Sequence, residues 1–238
     1  PTDDRQRFED GSGRLALAMS IADQRNPLTA RVIVNRIWAA HFGRPLVATP
    51  SNFGLLGETP THPQLLDDLS VRVMDNGWSL KWLHREILLS ATWQQSSELD
   101  SEAQKVDSAN RWLWRMPRRR MNVETWRDMI LAACGKLDSQ IGGKSIDPQD
   151  PAQRRRTVYS EVSRLNLNPL LQMFDFPDPN AHAAIRVETT TALQKLFVMN
   201  SPFMVDQSAT LAERSLTSAD SDEQRIEWLY ASLFSREM

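Results

Sequence analysis

The stretch that most constrains how this chain folds is residues 26–53, NPLTARVIVNRIWAAHFGRPLVATPSNF. Asn26 is a good helix N-cap, because its side-chain oxygen can accept from a free amide in the first turn. Pro27 follows at the first helical position, where its missing N–H costs nothing and its φ is already helical. Ala30, Ile33, Val34, Ile37, Trp38 and Phe42 then recur at the spacing of an amphipathic helix. Gly43 suits the left-handed residue that ends it. His41 lies on the same stripe and is expected at the edge of the core, bonded to a backbone carbonyl. After Gly43, prolines and glycines are too frequent for regular structure. Yet Leu46, Val47, Phe53, Leu55 and Leu56 are too apolar for a free linker, which implies a loop pinned onto the helices.

The same punctuation locates the other helices. Residues 1–11 are polar and expected to fray, and Leu15, Ala18, Met19 and Ala22 suit a first helix. Thr61 and Gln64 have the spacing of a capping box ahead of Leu65, Leu66, Leu69 and Val73, with Gly77 as the stop. Ser79 caps a stripe of Leu80, Leu83, Ile87, Leu88 and Ala91. Asn122 caps another, with Val123, Trp126, Met129, Ile130 and Ala133 inward and Gly135 at its end. Asn168 starts a short helix, and from Thr190 a further one turns Leu193, Leu196 and Phe197 inward. Ser201-Pro202 repeats the cap-then-proline pattern. Ser221 and Gln224 form a second capping box before Ile226, Leu229, Tyr230, Leu233 and Phe234. Residues 156–162 alternate and contain β-branched side chains, so they are predicted as a strand, with 183–187 as its partner.

These signals predict a mainly α, compact, irregular multi-helix domain of about seven or eight helices with a minor two-stranded β element. Its core is expected to hold Ile33, Ile37, Trp38, Leu83, Ile87, Trp126 and Ile130. Residues 1–238 read as one domain, with sub-regions 12–93 and 110–238 joined by the polar stretch 94–109. The chain begins at a proline and ends inside a helical pattern, as a fragment of a longer protein would.

Three places carry residues with chemical potential. Residues 110–120, NRWLWRMPRRR, combine Trp112 and Trp114 with Arg118, Arg119 and Arg120. Tryptophans that stack and arginines that meet anions make these five the ligand-binding candidates. The bland alternative buries the indoles and pairs the arginines with carboxylates. In DFPDPN, Asp175 and Asp178 sit on a proline-stiffened turn, where two carboxylates could act as acid and base. A calcium loop would need more oxygen ligands than this stretch offers. The alternative is that both cap turns and pair with Arg118, Arg119, Arg120 or Arg154, Arg155, Arg156. His41, His62 and His84 fall in one helical region, but their spacing matches no compact metal motif, so no metal site is expected. Gly142-Gly143-Lys144-Ser145 lacks the upstream glycine of a phosphate-binding loop and no strand precedes it.

Composition closes off several classes. A formal net charge of −2 argues against a dedicated nucleic-acid binder. The single cysteine, Cys134, excludes an intramolecular disulfide and a multi-cysteine metal cluster; a buried structural thiol is expected. No apolar run is long enough for a membrane-spanning helix.

The long motif over residues 26–69 continues through GWSLKWLHREILLSATWQQSS, NRWLWRMPRRRMNVETWRD, MFDFPDPN and NSPFMVDQSATLAER. Together they cover nearly the whole chain. They resemble the C-terminal domain of unknown function of secreted proteins from planctomycete-type bacteria, which often carry a cytochrome c-like module. Pro45 and Met121 are the small departures, standing where glycine and leucine are common. The resemblance implies an extracytoplasmic or cell-envelope setting and other modules of the parent chain as partners, a cytochrome c-like one among them. It supplies no activity, no catalytic residues and no cofactor for this domain.

Two function classes fit these observations. One is a non-catalytic structural or interaction module of a cell-envelope protein, linked to polysaccharide binding or breakdown, with a glycan as ligand. The other is a carbohydrate-active hydrolase or lyase using Asp175 and Asp178 with the arginine cluster. The lack of a nucleophile elbow, a metal signature or a cofactor fingerprint favours the first.

Overall fold

A computed structural model describes residues 11–238; up to residue 10, the tail expected to fray lies outside the described residues. The fold is mainly helical. Eleven α-helices occur among the described residues: α1 (Arg14–Ala22), α2 (Pro27–Phe42), α3 (Pro63–Asp75), α4 (Leu80–Leu88), α5 (Ala91–Gln94), α6 (Ser101–Val106), α7 (Val123–Ala133), α8 (Pro169–Met173), α9 (Ala192–Asn200), α10 (Pro202–Ser218) and α11 (Asp222–Phe234). None is long and apolar enough to cross a membrane. The chain divides into two compact units, one ending at Arg119 and the other running Arg120–Met238.

In the first unit α2 is the central element, as its sequence requires. Asn26 Oδ1 accepts from the Leu28 N–H at 3.0 Å, Pro27 opens the helix, and Gly43 ends it with φ 75°. Val34, Ile37, Trp38 and Phe42 are buried against Leu66, Leu69 and Val73 of α3 and Leu83 and Ile87 of α4, and Ala30 is buried as well. Ile33 is only half-buried at the cluster's edge. The following loop is pinned as expected at Leu46 and Val47, which are buried, and Phe53 packs on the same cluster. Leu55 and Leu56 instead stand in solvent.

One local expectation in this unit is corrected. Pro63 takes the first helical position of α3, so the cap falls on His62, whose side chain makes no capping bond. Thr61 bonds to Leu46 O instead, through its N–H at 2.9 Å. The polar stretch 94–109 carries α6, capped by Asp100, which accepts from the amides of Glu102 and Ala103. An aspartate cap with an acid in the first turn is a sufficient start signal even where no apolar stripe follows.

The second unit is built on α7. Asn122 Oδ1 caps it by accepting from the Thr125 N–H at 2.9 Å. Ile130, Leu131 and Cys134 pack with Phe203 of α10, while Val123 packs with Leu170 and Leu171 of α8. Trp126 is half-buried between the two clusters. The predicted strand does not form. Thr157–Tyr159 winds as a 3-10 turn, and its flanks make single parallel bridges, Asp138 with Arg155 and Ile146 with Ser160. The predicted partner over 183–187 takes no part in them. Of the β-branched residues here, Thr157 is buried and its hydroxyl meets Arg127, while Val158 and Val162 are exposed.

Helix existence was more legible than helix facing. On α9, Leu193 and Leu196 point to solvent and Gln194 is the buried residue. No residue of α1 or α11 is buried.

A candidate ligand platform and the fate of the other site residues

The loop after α6 is short, strained and heavily bonded. Asp107 ends α6, and its Oδ2 accepts from the Trp112 N–H at 2.8 Å while its carbonyl accepts from Trp114 Nε1 at 2.9 Å. Asn110 Nδ2 donates to Arg115 O at 2.9 Å, and Arg44 Nη1 donates to Ala109 O at 2.7 Å. Asn110 and Leu113 both have left-handed backbones, φ 52° and 51°. Asparagine tolerates that region; leucine does so at a cost, which the surrounding bonds must offset. Leu113 packs on the core of the first unit. Between the two strained residues, Trp112 is turned outward and is 70% exposed.

The indole of Trp112 is not loose. It meets the His62 ring edge-on, with centroids 5.2 Å apart. His62 is fixed in turn by a 3.0 Å hydrogen bond between Nδ1 and Thr61 Oγ1. Trp114 is half-buried with the Arg115 guanidinium over its ring at 4.9 Å. The Asp107 carboxyl is held below the usual carboxylate range, first by the Trp112 amide, with burial opposing and the Arg111 amide and the charges of Arg111 and Arg44 adding to it. The bond from the Trp112 amide thus favours the ionised carboxylate over the neutral acid.

The arginine run disperses. Arg118 is exposed and makes no ion pair among the described residues. Arg119 donates to Ala40 O in the last turn of α2. Arg120, in the second unit, donates to Thr190 Oγ1 at 3.4 Å and lies over the Phe174 ring at 6.0 Å.

The pairing expected of Asp175 and Asp178 with arginines is not found in the second unit. Arg154 reaches Asp206 at 3.3 Å, Arg156 reaches Asp128 at 3.7 Å, and Arg155 donates to the carbonyls of Lys144, Gln140 and Gly142. Asp175 is satisfied by nearer donors: Thr189 N–H and Oγ1–H at 2.8 Å each, and Gln194 Nε2 at 3.4 Å. Burial raises its pKa, but these bonds and the charge of Arg120 outweigh that, and the net shift is downward. Asp178 Oδ1 accepts from the Asn180 N–H at 2.8 Å, closing a turn on itself. Both carboxylates hold backbone in place, which is the turn-capping half of what their sequence context implied.

His41 corrects another expectation. Its partner is His84 rather than a carbonyl, with His41 Nε2 and His84 Nδ1 2.8 Å apart and Trp93 edge-on at 5.0 Å. Burial, then His84, then Arg119 push the His41 pKa down. Among the described residues no group of three or more His, Cys, Asp or Glu is placed to hold a metal ion.

A family model, PSD1, matches residues 13–238, from just before α1 onward. The chain belongs to the DUF1553 family. That family is described as a protein of unknown function. No curated protein and no solved structure matches the chain.

Sequence reasoning missed two residues that organise this DUF1553 domain, Asn35 and Arg127. Both are polar and lie off the apolar stripes of α2 and α7, yet both are fully buried. Their partners lie 12 to 30 residues away, so no local spacing could have revealed them.

Proposed function

We propose that this DUF1553 domain is a non-catalytic interaction module of a cell-envelope protein. It works outside the cytoplasm beside other modules of its parent chain, a cytochrome c-like one among them, and takes a glycan on the Trp112 platform. The observation that supports this reading is Trp112 itself. An indole held 70% exposed by a loop with two left-handed residues is a preorganised flat surface. Such a face stacks on the C–H face of a sugar ring by dispersion, and the ordering entropy of the loop is already lost before binding. The His62 ring lies edge-on beside it, with centroids 5.2 Å apart. The engagement of Asp175 and Asp178 with Thr189, Gln194 and Asn180 weighs against the hydrolase or lyase alternative, which needs free carboxylates. In this reading the domain has no cofactor of its own and, at net charge −2, no nucleic-acid partner.

The test is calorimetric titration with neutral and anionic oligosaccharides, together with NMR of the indole N–H signals. Saturable binding that perturbs the Trp112 indole, and is lost in Trp112→Ala with an unchanged helical circular dichroism spectrum, supports the reading. Absence of any glycan binding, or binding indifferent to Trp112→Ala, overturns it.

A further inference from the structure

The second unit contains a cavity of about 340 Å³ lined by Arg120, Phe174, Thr190, Gln194, Lys195, Val198 and Met199. We propose that it binds a small organic carboxylate with an apolar body, at a site independent of the Trp112 platform.

The floor is apolar and fixed. Phe174 stacks on Trp126 with centroids 5.6 Å apart and takes the edge of Phe197 at 5.7 Å, so its ring is held from two sides. Val198 and Met199 extend this surface along α9. Burying such a wall under an alkyl or aryl group is favourable in proportion to the area covered.

The charges in the lining are both positive. Arg120 has a single polar contact, the 3.4 Å bond to Thr190 Oγ1, and no carboxylate within ion-pair distance among the described residues. Lys195 has no ion pair among the described residues either. Asp175, the acid whose field Arg120 reaches, has its oxygens taken by Thr189 and Gln194. Two cations over an apolar wall form a complementary surface for one anion, and the guanidinium fork suits a carboxylate in particular. The volume is at the small end for ligand cavities, which fits a compact molecule rather than a peptide.

The experiment follows the Met199 methyl signal in methyl-labelled protein, assigned through Met199→Leu, during titration with octanoate, benzoate and octanol. Octanoate and octanol share the alkyl body and differ in charge; octanoate and benzoate share the charge and differ in body. The expected result is that at least one carboxylate shifts Met199 and binds at least tenfold more tightly than octanol. Arg120→Gln with Lys195→Gln should remove that preference and leave the other methionine signals in place, which reports an intact fold. The stronger of the two carboxylates identifies the body the wall prefers. Octanol binding as tightly as octanoate, shifts confined to other methionines, or no saturation by either carboxylate would overturn the proposal.

Discussion

Asn35 and Val47 hold each other by two hydrogen bonds: Asn35 Nδ2 donates to Val47 O at 3.1 Å, and the Val47 N–H donates to Asn35 Oδ1 at 2.8 Å. Asn35 is 0% and Val47 2% exposed, so neither backbone group has water to turn to. The amide side chain imitates a strand neighbour and fixes the loop after Gly43 onto α2. Asn35→Leu should therefore cost about 2–4 kcal/mol, since it strands a buried N–H and a buried C=O together. Urea unfolding measures it. A loss under about 0.5 kcal/mol would mean that the loop is held by Leu46 and Val47 packing alone.

Arg127 plays the same part in the second unit. Its guanidinium donates to Pro148 O and Arg155 O at 3.1 Å, to Thr157 Oγ1 at 3.1 Å and to Gln153 O at 2.8 Å. Asp128, the next residue, receives the Thr157 N–H at 2.7 Å and its hydroxyl at 2.6 Å. Two adjacent residues of α7 thus hold a loop that makes only isolated bridges. Burial pushes the Arg127 pKa down, yet arginine stays charged at any ordinary pH. Arg127→Leu should cost about 3–5 kcal/mol, as expected when a buried charged network loses its centre. Arg127→Lys should remain destabilised, because one ammonium cannot replace a planar fork that serves four acceptors. Hydrogen exchange locates the effect: the Thr157 and Ile146 amides should lose protection first. Unchanged exchange there in Arg127→Lys would refute the role.

What the sequence revealed was chain punctuation. Asn26, Ser79, Asn122, Asn168, Ser201 and Ser221 all cap the helices their positions implied, because a cap is a contact between residues two or three apart. Thr61 misled for an equally local reason, since Pro63 competes for the first helical position and moves the start by one. Facing was harder to read. Leu193 and Leu196 look like a core stripe, but what α9 buries is decided by Gln194, which reaches Met173 O at 2.8 Å. The site residues divide in the same way. Trp112 and Asp107 are close in sequence and their loop could be suspected, whereas His41 and His84 are 43 residues apart and only folding shows that they touch.

The His41–His84 pair gives the first unit a pH-dependent stability. The His41 pKa is depressed below its ordinary value of 6.5 by burial, by His84 and by Arg119. Above that value His41 is neutral both folded and unfolded, and its contribution is fully present. As the pH falls below it, the unfolded chain takes up a proton that the folded one resists, so stability drops towards the lower folded pKa. The urea midpoint should fall between about pH 7.5 and about pH 5, and His41→Asn should flatten that fall. An identical pH slope in the variant would remove His41 as the cause.

Asp175 is predicted to act as a clasp, and its variants should behave as clasp variants. Its backbone is left-handed, φ 62°, a region that asparagine enters more readily than alanine. Its carboxylate joins the turn after α8 to Thr189 and to Gln194 of α9. Asp175→Ala removes every acceptor and adds backbone strain, for a loss of about 1–3 kcal/mol. Asp175→Asn keeps one acceptor oxygen and the backbone preference, so it should lose less than half as much. The folded pKa lies below the ordinary 3.8, so the stability this group contributes is present above that value and is lost as pH falls through the folded pKa. The acid limb of a stability curve should therefore be shallower in Asp175→Asn than in the wild type. Exchange of the Thr189 amide provides the local check. Protection there should fall in the order wild type, Asp175→Asn, Asp175→Ala. Equal protection in all three would show that the turn is held by Phe174 and Phe176 packing and that the Asp175 carboxylate is free for another task.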